Sequence, residues 1–240
     1  MSRVLLLTHR ELRAAFRSPV GSVVVAAMLL IEGILFYWAA LSQKLLSAEV
    51  LEQFFYHSSG VTMVAAVALS MRLLAEERQT GTLVLLNTSP ISSHEVVLGK
   101  FLAASAIVAG ATLLSLYMPA LIFVNGKVSL GHIAVGAFGL VLLGAATTAI
   151  GLFASTLAKS QVVAALLGAA ITVGMILMWI LAKSTEPPLN EFFGAIALHH
   201  ENFRPFMNGT LNLGAATYYV AVTYFFLLAA TKTLEARRWR

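Results

Sequence analysis

Cysteine and aspartate are both missing from this 240-residue chain. The first absence excludes disulfides, thiol catalysis and cysteine metal sites, and the second removes aspartate-based catalysis, since all 11 acidic residues are Glu. Charge is scarce, at 11% of residues, whereas 59% are hydrophobic, with 14 Phe, and mean hydropathy is +0.84. One water-soluble core cannot hide that much apolar surface, so the composition predicts an integral membrane protein. The net charge of +5 would suggest a nucleic-acid partner only if the basic residues formed a soluble face. They sit between apolar runs instead, and no nucleic-acid partner is expected.

Chemical motifs are missing too. Gly99-Lys100 is followed by Phe101 and Gly126-Lys127 by Val128, so the GxxxxGK[ST] phosphate cradle of an ATPase is not present. No HExxH, GxSxG or SxxK pattern occurs, and neither catalytic residues nor a cofactor of its own is expected for this chain. His199-His200-Glu201 could be pictured as metal ligands. Adjacent helical residues point about 100° apart, however, and cannot converge on one ion without irregular backbone, so no metal is expected. There is no internal repeat, which removes the usual trace of an inverted-repeat carrier.

What is present is a set of six apolar runs of membrane-spanning length, at 19–41, 54–74, 101–124, 130–157, 162–182 and 213–231. The first is too long for a signal-peptide core and lacks a cleavage-like site, so it is expected to stay attached. With the N-terminus in the cytoplasm, Arg3, Arg10, Arg13, Arg17, Arg72, Arg78, Lys100, Lys159, Lys232, Arg237, Arg238 and Arg240 lie inside. Only Lys44, Lys127, Lys183 and Arg204 lie outside, which predicts a multi-pass inner-membrane protein with both termini cytoplasmic. The whole chain, 1–240, reads as one transmembrane domain: a leading helix (1–18), spans one to five (19–182), an external loop (183–212), then span six and a basic tail (213–240).

Before the first span, Leu5, Leu12 and Phe16 fall on one side of a helix and Arg3, Arg10, Arg13 and Arg17 on the other. That pattern predicts an amphipathic helix in the headgroup layer, the alternative being a solvated basic tail. Gly144 with Thr148, Thr147 with Gly151 and Ala164 with Gly168 space small residues four apart, predicting close approach of spans four and five. Glu32 lies midway along span one, where an ionised carboxylate costs roughly 2.5–3.5 kcal/mol. It is expected to face protein or water, either lining a cavity or subunit interface or as a protonated Glu bonded to a nearby Ser or Thr. His57 needs no special role.

Function concentrates in long loops, and the cytoplasmic one after span two is distinctive. It runs Glu76-Glu77-Arg78-Gln79-Thr80-Gly81-Thr82-Leu83-Val84-Leu85-Leu86-Asn87-Thr88-Ser89-Pro90 and reaches Gly99-Lys100. Gly81 can break the extension of span two, Leu83 to Leu86 supply an apolar turn, Pro90 stops it, and Ser92 with Glu95 forms a capping box for span three. A short helix below the membrane follows, unless the segment is a plain connector.

These residues resemble the permease family of ABC type-2 exporters, whose loop is similar to E-R-x-x-G-T-L-x-x-L-L-x-x-x-P followed by G-K; here Glu77, Arg78, Gly81, Thr82, Leu83, Leu85, Leu86, Pro90, Gly99 and Lys100 carry it. The outer loop, with His199, His200, Phe203 and Gly209, resembles that of the gliding-motility-associated (GldF-like) permeases. Val84 and Asn212 depart from the pattern, standing where Glu and Asp are usual. The resemblance implies an all-α fold of six transmembrane helices with an N-terminal interfacial helix, a coupling helix between spans two and three, and an external re-entrant segment between spans five and six. In that segment Phe192, Phe193, Phe203 and Phe206 would dip into the outer leaflet.

The implied function is the permease subunit of an ATP-driven exporter. Its implied partners are a P-loop ATPase that carries ATP and Mg, a second permease copy or homologue, and an auxiliary periplasmic or membrane subunit. The alternative is a mechanotransmission subunit that drives an extracytoplasmic partner without translocation. A proton-coupled carrier using Glu32 is disfavoured, because it would not need the coupling-like loop.

Overall fold

Apolar runs in a bilayer must satisfy every backbone N–H and C=O internally, and the helix is the local solution. The computed structural model describes residues 3–41, 46–82, 91–124 and 129–238, and every regular element among them is helical. α1 (Arg3–Arg17) leads through Ser18 into α2 (Pro19–Leu35), whose proline occupies the helix start, where its missing N–H costs nothing. A wider π turn, Phe36–Leu41, extends α2. α3 (Ser47–Ser70) is followed after Met71 by α4 (Arg72–Gln79). α5 (Ser93–Ser115) starts on the Ser92–Glu95 capping box, in which the Glu95 N–H donates to Ser92 Oγ (3.2 Å) and the Ser92 N–H to Glu95 Oε2 (2.9 Å). It continues into α6 (Tyr117–Ala120). α7 (Leu130–Leu157) and α8 (Gln161–Ser184) are long; α9 (Leu189–Ile196) and α10 (His200–Met207) are short; α11 (Leu213–Arg238) closes the fold.

Among the described residues six helices are long and apolar enough to cross a membrane: Pro19–Trp38, Ser47–Gln79, Ser93–Ala120, Leu130–Leu157, Gln161–Ser184 and Leu213–Arg237. The second begins well before residue 54, where the apolar run starts. Its first two turns carry Glu49 and Glu52 but still bury Val50 and Leu51, so tertiary packing extends the helix beyond the apolar run.

α7 is the central helix, packed on α3, α5, α8 and α11. Its most apolar stretch is 61% buried, against 17% for those of α8 and α11, so α7 forms the core and those two the rim. Glycine is what lets neighbours reach it. The Phe55 ring sits where a side chain at Gly136 would be, and a Cβ at Gly139 would stand 2.5 Å from that of Phe206. The small-residue spacing is only partly a matter of spans four and five. A Cβ at Gly168 of α8 would stand 3.5 Å from the Gly151 Cα, but Gly151 also admits Ser70 of α3, and Gly144 faces Val108 and Thr62 of α5 and α3.

α1 buries a different face from the one its apolar stripe predicts. Leu7 is 5% exposed and seats on Gly99 of α5, where any Cβ would lie 2.7–3.0 Å from its side chain. Thr8 Oγ1 donates to the Gly99 carbonyl (3.3 Å). Leu12 packs against the cluster of Ala66, Leu69, Ile107 and Val108, while Leu5 and Phe16 stay exposed. The helix is thus three-sided: one face on α5, one apolar and open, one basic.

Candidate functional site

The described residues of the sequence-predicted coupling segment, up to Thr82, gather at the end of the bundle that carries α1. Lys100, seven residues into α5, is 2% exposed. A buried ammonium needs partners, and it has two: Glu77 Oε1 of α4 at 2.8 Å and Glu11 Oε1 of α1 at 3.3 Å. Arg10 adds a second cation, 2.7 Å from Glu11 Oε1 and 4.0 Å from Glu77 Oε1. Burial alone would raise the Glu11 carboxyl; Lys100 and Arg10 outweigh that and hold it below the usual carboxylate range. Three elements remote in sequence are therefore tied together by one lysine.

Arg78, one turn from Gly81, holds α4 to α7. Its guanidinium donates to the Ala158 carbonyl (2.6 Å, Nη1) and the Thr156 carbonyl (2.9 Å, Nη2), completing orphan acceptors at the C-terminus of α7. A cation there also meets the negative end of the helix dipole. Arg237 Nη2 donates to the Leu157 carbonyl (3.1 Å) at the same end. The break at Met71 is patched by α7 as well: Ser155 Oγ accepts from the N–H groups of Leu74 (3.0 Å) and Ala75 (2.8 Å) and donates to the Met71 carbonyl (3.0 Å). Gly81 ends the helical stretch with φ +75, a conformation glycine takes without strain. Thr82 Oγ1 donates to the Glu77 carbonyl (3.3 Å). Leu83, Leu86 and Pro90 lie outside the described residues.

Glu32 is turned inward on α2 and is 2% exposed. Ser115 of α5 lies beside it, but the Ser115 hydroxyl donates to the Thr112 carbonyl (2.9 Å), and neither Glu32 oxygen closes a hydrogen bond among the described residues. The carboxyl thus meets protein within the chain.

At the opposite end, the segment between α8 and α11 returns into the bundle. The Leu198 N–H donates to the Met175 carbonyl (3.1 Å), nine residues before the end of α8, which places that turn about 13 Å down the helix. Tyr218 and Tyr219 of α11 donate their hydroxyls to the Ile196 and Leu198 carbonyls (2.7 and 2.8 Å). Phe203 and Phe206 of α10 are fully buried, whereas Phe192 of α9 is 60% exposed, so only α10 carries its phenylalanines into the core. Gly209 turns with φ +69 against His132, whose Nε2–H donates to the Met207 carbonyl (2.6 Å).

The three polar neighbours diverge. His200 stacks on Trp179 (4.2 Å), Glu201 lies over Gly194, and His199 Nε2 reaches Ser59 Oγ of α3 (2.6 Å). Ser59 spends its own proton on the Tyr56 carbonyl (2.6 Å), so His199 must donate from Nε2. Burial, then the neighbouring His200, push His199 down to about 4. A folded value below the unfolded one, near 6.5, means that this histidine stabilises the fold fully above pH 6.5 and that its contribution is lost as pH falls towards 4. Thermal unfolding of the detergent-solubilised protein should therefore shift down across that window. His199→Gln should flatten the dependence, and an unchanged profile in that variant would assign the acid sensitivity elsewhere.

Sequence reasoning missed Glu11 and the burial of Lys100. The one signal available was a lone acid in an otherwise basic α1. It missed Ser155 entirely, because nothing in the apolar run 54–74 marks the break at Met71.

Compared with families of known proteins, the chain matches the one described as "ABC-2 family transporter protein" over residues 5–230. A search of curated proteins finds no match.

Proposed function

The chain belongs to the ABC-2 family of transporter proteins, and from that premise we propose that it is the membrane permease subunit of an ATP-driven exporter, coupled to a separate P-loop ATPase. The observation that carries the reading is the construction around Gly81. α4 is tied to α7 through Arg78 and to α1 and α5 through Lys100, and it delivers the chain to an apolar run at 83–86 in a protein with no nucleotide cradle of its own. An apolar run that follows a firmly anchored helix suits docking into a groove on a partner. ATP and Mg belong on that partner, and two permease chains, identical or homologous, complete the assembly. The twelve-to-four distribution of cations supports an inner-membrane location with both termini and this loop in the cytoplasm. Closure of the ATPase subunits would then push the loop and rock the spans, opening a path outward. The outer-loop pattern supports a kinship with gliding-motility-associated permeases.

Leu83 and Leu86, whose spacing of three would put them on one face of a helix, are the expected anchors. Leu83→Asp or Leu86→Asp should weaken docking by about 2 kcal/mol, roughly thirty-fold, while membrane insertion stays intact. Co-purification of the ATPase and its ATP turnover are the measurements. If both are unchanged in both variants, the loop is a connector and the exporter reading falls.

A further inference from the structure

Two cavities meet beside α1, and their walls differ in kind. One, of about 330 Å³, is polar and is lined by Glu11, Arg72, Glu76, Glu77 and Lys100. The other, of about 310 Å³, is an apolar groove walled by Phe16, Val25, Ala26, Leu29 and Ile107. Ala15, Gly21 and Ile107 line both, so the two adjoin. Gly21 lets the end of α1 pack closely on α2 between them: a Cβ there would stand 2.6 Å from the Ala15 carbonyl oxygen. The groove follows α2 from Gly21 to Leu29, about 12 Å of helix, which is most of one leaflet of a ~30 Å hydrocarbon core. It opens sideways, where Phe16 is 73% exposed and Ser22 and Ala26 are exposed.

We propose that the two cavities together hold one phospholipid with a primary-amine head group, of the phosphatidylethanolamine type, its head in the polar cavity and an acyl chain in the groove. Three carboxylates and two cations line the polar part, a mixture that suits a zwitterion and disfavours a purely anionic head. Glu77 Oε1 is taken by Lys100, but Glu77 Oε2 is buried with no hydrogen-bond partner among the described residues. An ammonium supplies N–H donors for that oxygen; the quaternary ammonium of phosphatidylcholine has none. On the phosphate side, Arg72 uses three of its five N–H groups, two on Glu76 and one on Ser18 Oγ. Two remain for an anionic oxygen. A small soluble amine would satisfy Glu77 but would leave the groove without an occupant, whereas a lipid arrives from the side on which the groove opens.

The test is native mass spectrometry of the full-length protein in mild detergent, titrated in turn with phosphatidylethanolamine, phosphatidylcholine, phosphatidylglycerol and soluble phosphoethanolamine. It needs no ATP turnover and is independent of the coupling reading. The expected result is one phosphatidylethanolamine per chain, bound about tenfold or more tightly than the other three. Ala26→Trp fills the groove without touching an ion pair and should reduce that binding about tenfold. Glu77→Gln keeps an oxygen for Lys100 and should erase the preference over phosphatidylcholine. Circular dichroism and size-exclusion elution establish that each variant is folded, and Ala26→Trp decides by itself should Glu77→Gln misfold. Equal binding of all three lipids, phosphoethanolamine binding as tightly as the lipid, or wild-type binding by Ala26→Trp would each overturn the proposal.

Discussion

Lys100→Met should destabilise the protein by about 3–5 kcal/mol, the range for removing one partner from a buried charge group. The methionine is of similar length and volume, so little packing is lost. What is lost is the ammonium that Glu11 and Glu77 share, leaving Glu11 on Arg10 and Glu77 with only that same Arg10, 4.0 Å away. Chemical unfolding in detergent micelles measures the effect. The triple variant Lys100→Met, Glu11→Gln, Glu77→Gln should recover most of it, because a neutral set of similar shape no longer buries unpaired charge. A single variant within about 1 kcal/mol of wild type would show that water reaches the group and that the three helices are held by apolar contact alone. Acid should act on the same group. Since the folded Glu11 value is depressed, its contribution is complete above the ordinary 4.5 and disappears as pH falls through the lowered value.

Phe206→Ala is the second large effect expected, again about 3–5 kcal/mol, because the ring is fully buried between Phe138, Phe203 and Tyr219 and seated on Gly139. A control lies in the same loop. Phe192→Ala, at a position 60% exposed, should stay within about 0.5 kcal/mol. Hydrogen exchange at the Leu198 amide, which donates to the Met175 carbonyl, should accelerate in the first variant and not in the second. Similar small costs for both would mean that α10 rests on the bundle rather than in it.

The two variants also separate what could be read in the sequence from what could not. Membrane helices are legible because an apolar run of sufficient length has essentially one backbone solution, and the Ser92–Glu95 box is legible because its partners are three residues apart. The fate of Lys100 is not local. As a lysine near the end of a span it reads as a topology signal, and its burial depends on Glu77, 23 positions away, and on Glu11, further still. The segment between α8 and α11 is half legible. Four phenylalanines among polar residues predict a segment that dips back into the outer leaflet, but whether Phe206 or Phe192 enters the core of the bundle depends on glycines of α7 that align only in three dimensions. Glu32 shows the same limit: its depth is a matter of counting residues, whereas its neighbour Ser115 is a matter of packing.

The discontinuity at Met71 has a mechanical consequence. α4 is a lever about 12 Å long whose fulcrum is the Ser155 hydroxyl and whose free end is clamped by Arg78 to the last carbonyls of α7. Fulcrum and clamp are on the same helix, so the arm cannot swing alone. Any displacement delivered at Gly81 must either break the Arg78 contacts or carry the end of α7 with it, and α7 is the helix against which α3, α5, α8 and α11 are all braced. A push at one loop is thereby converted into a strain on the whole frame.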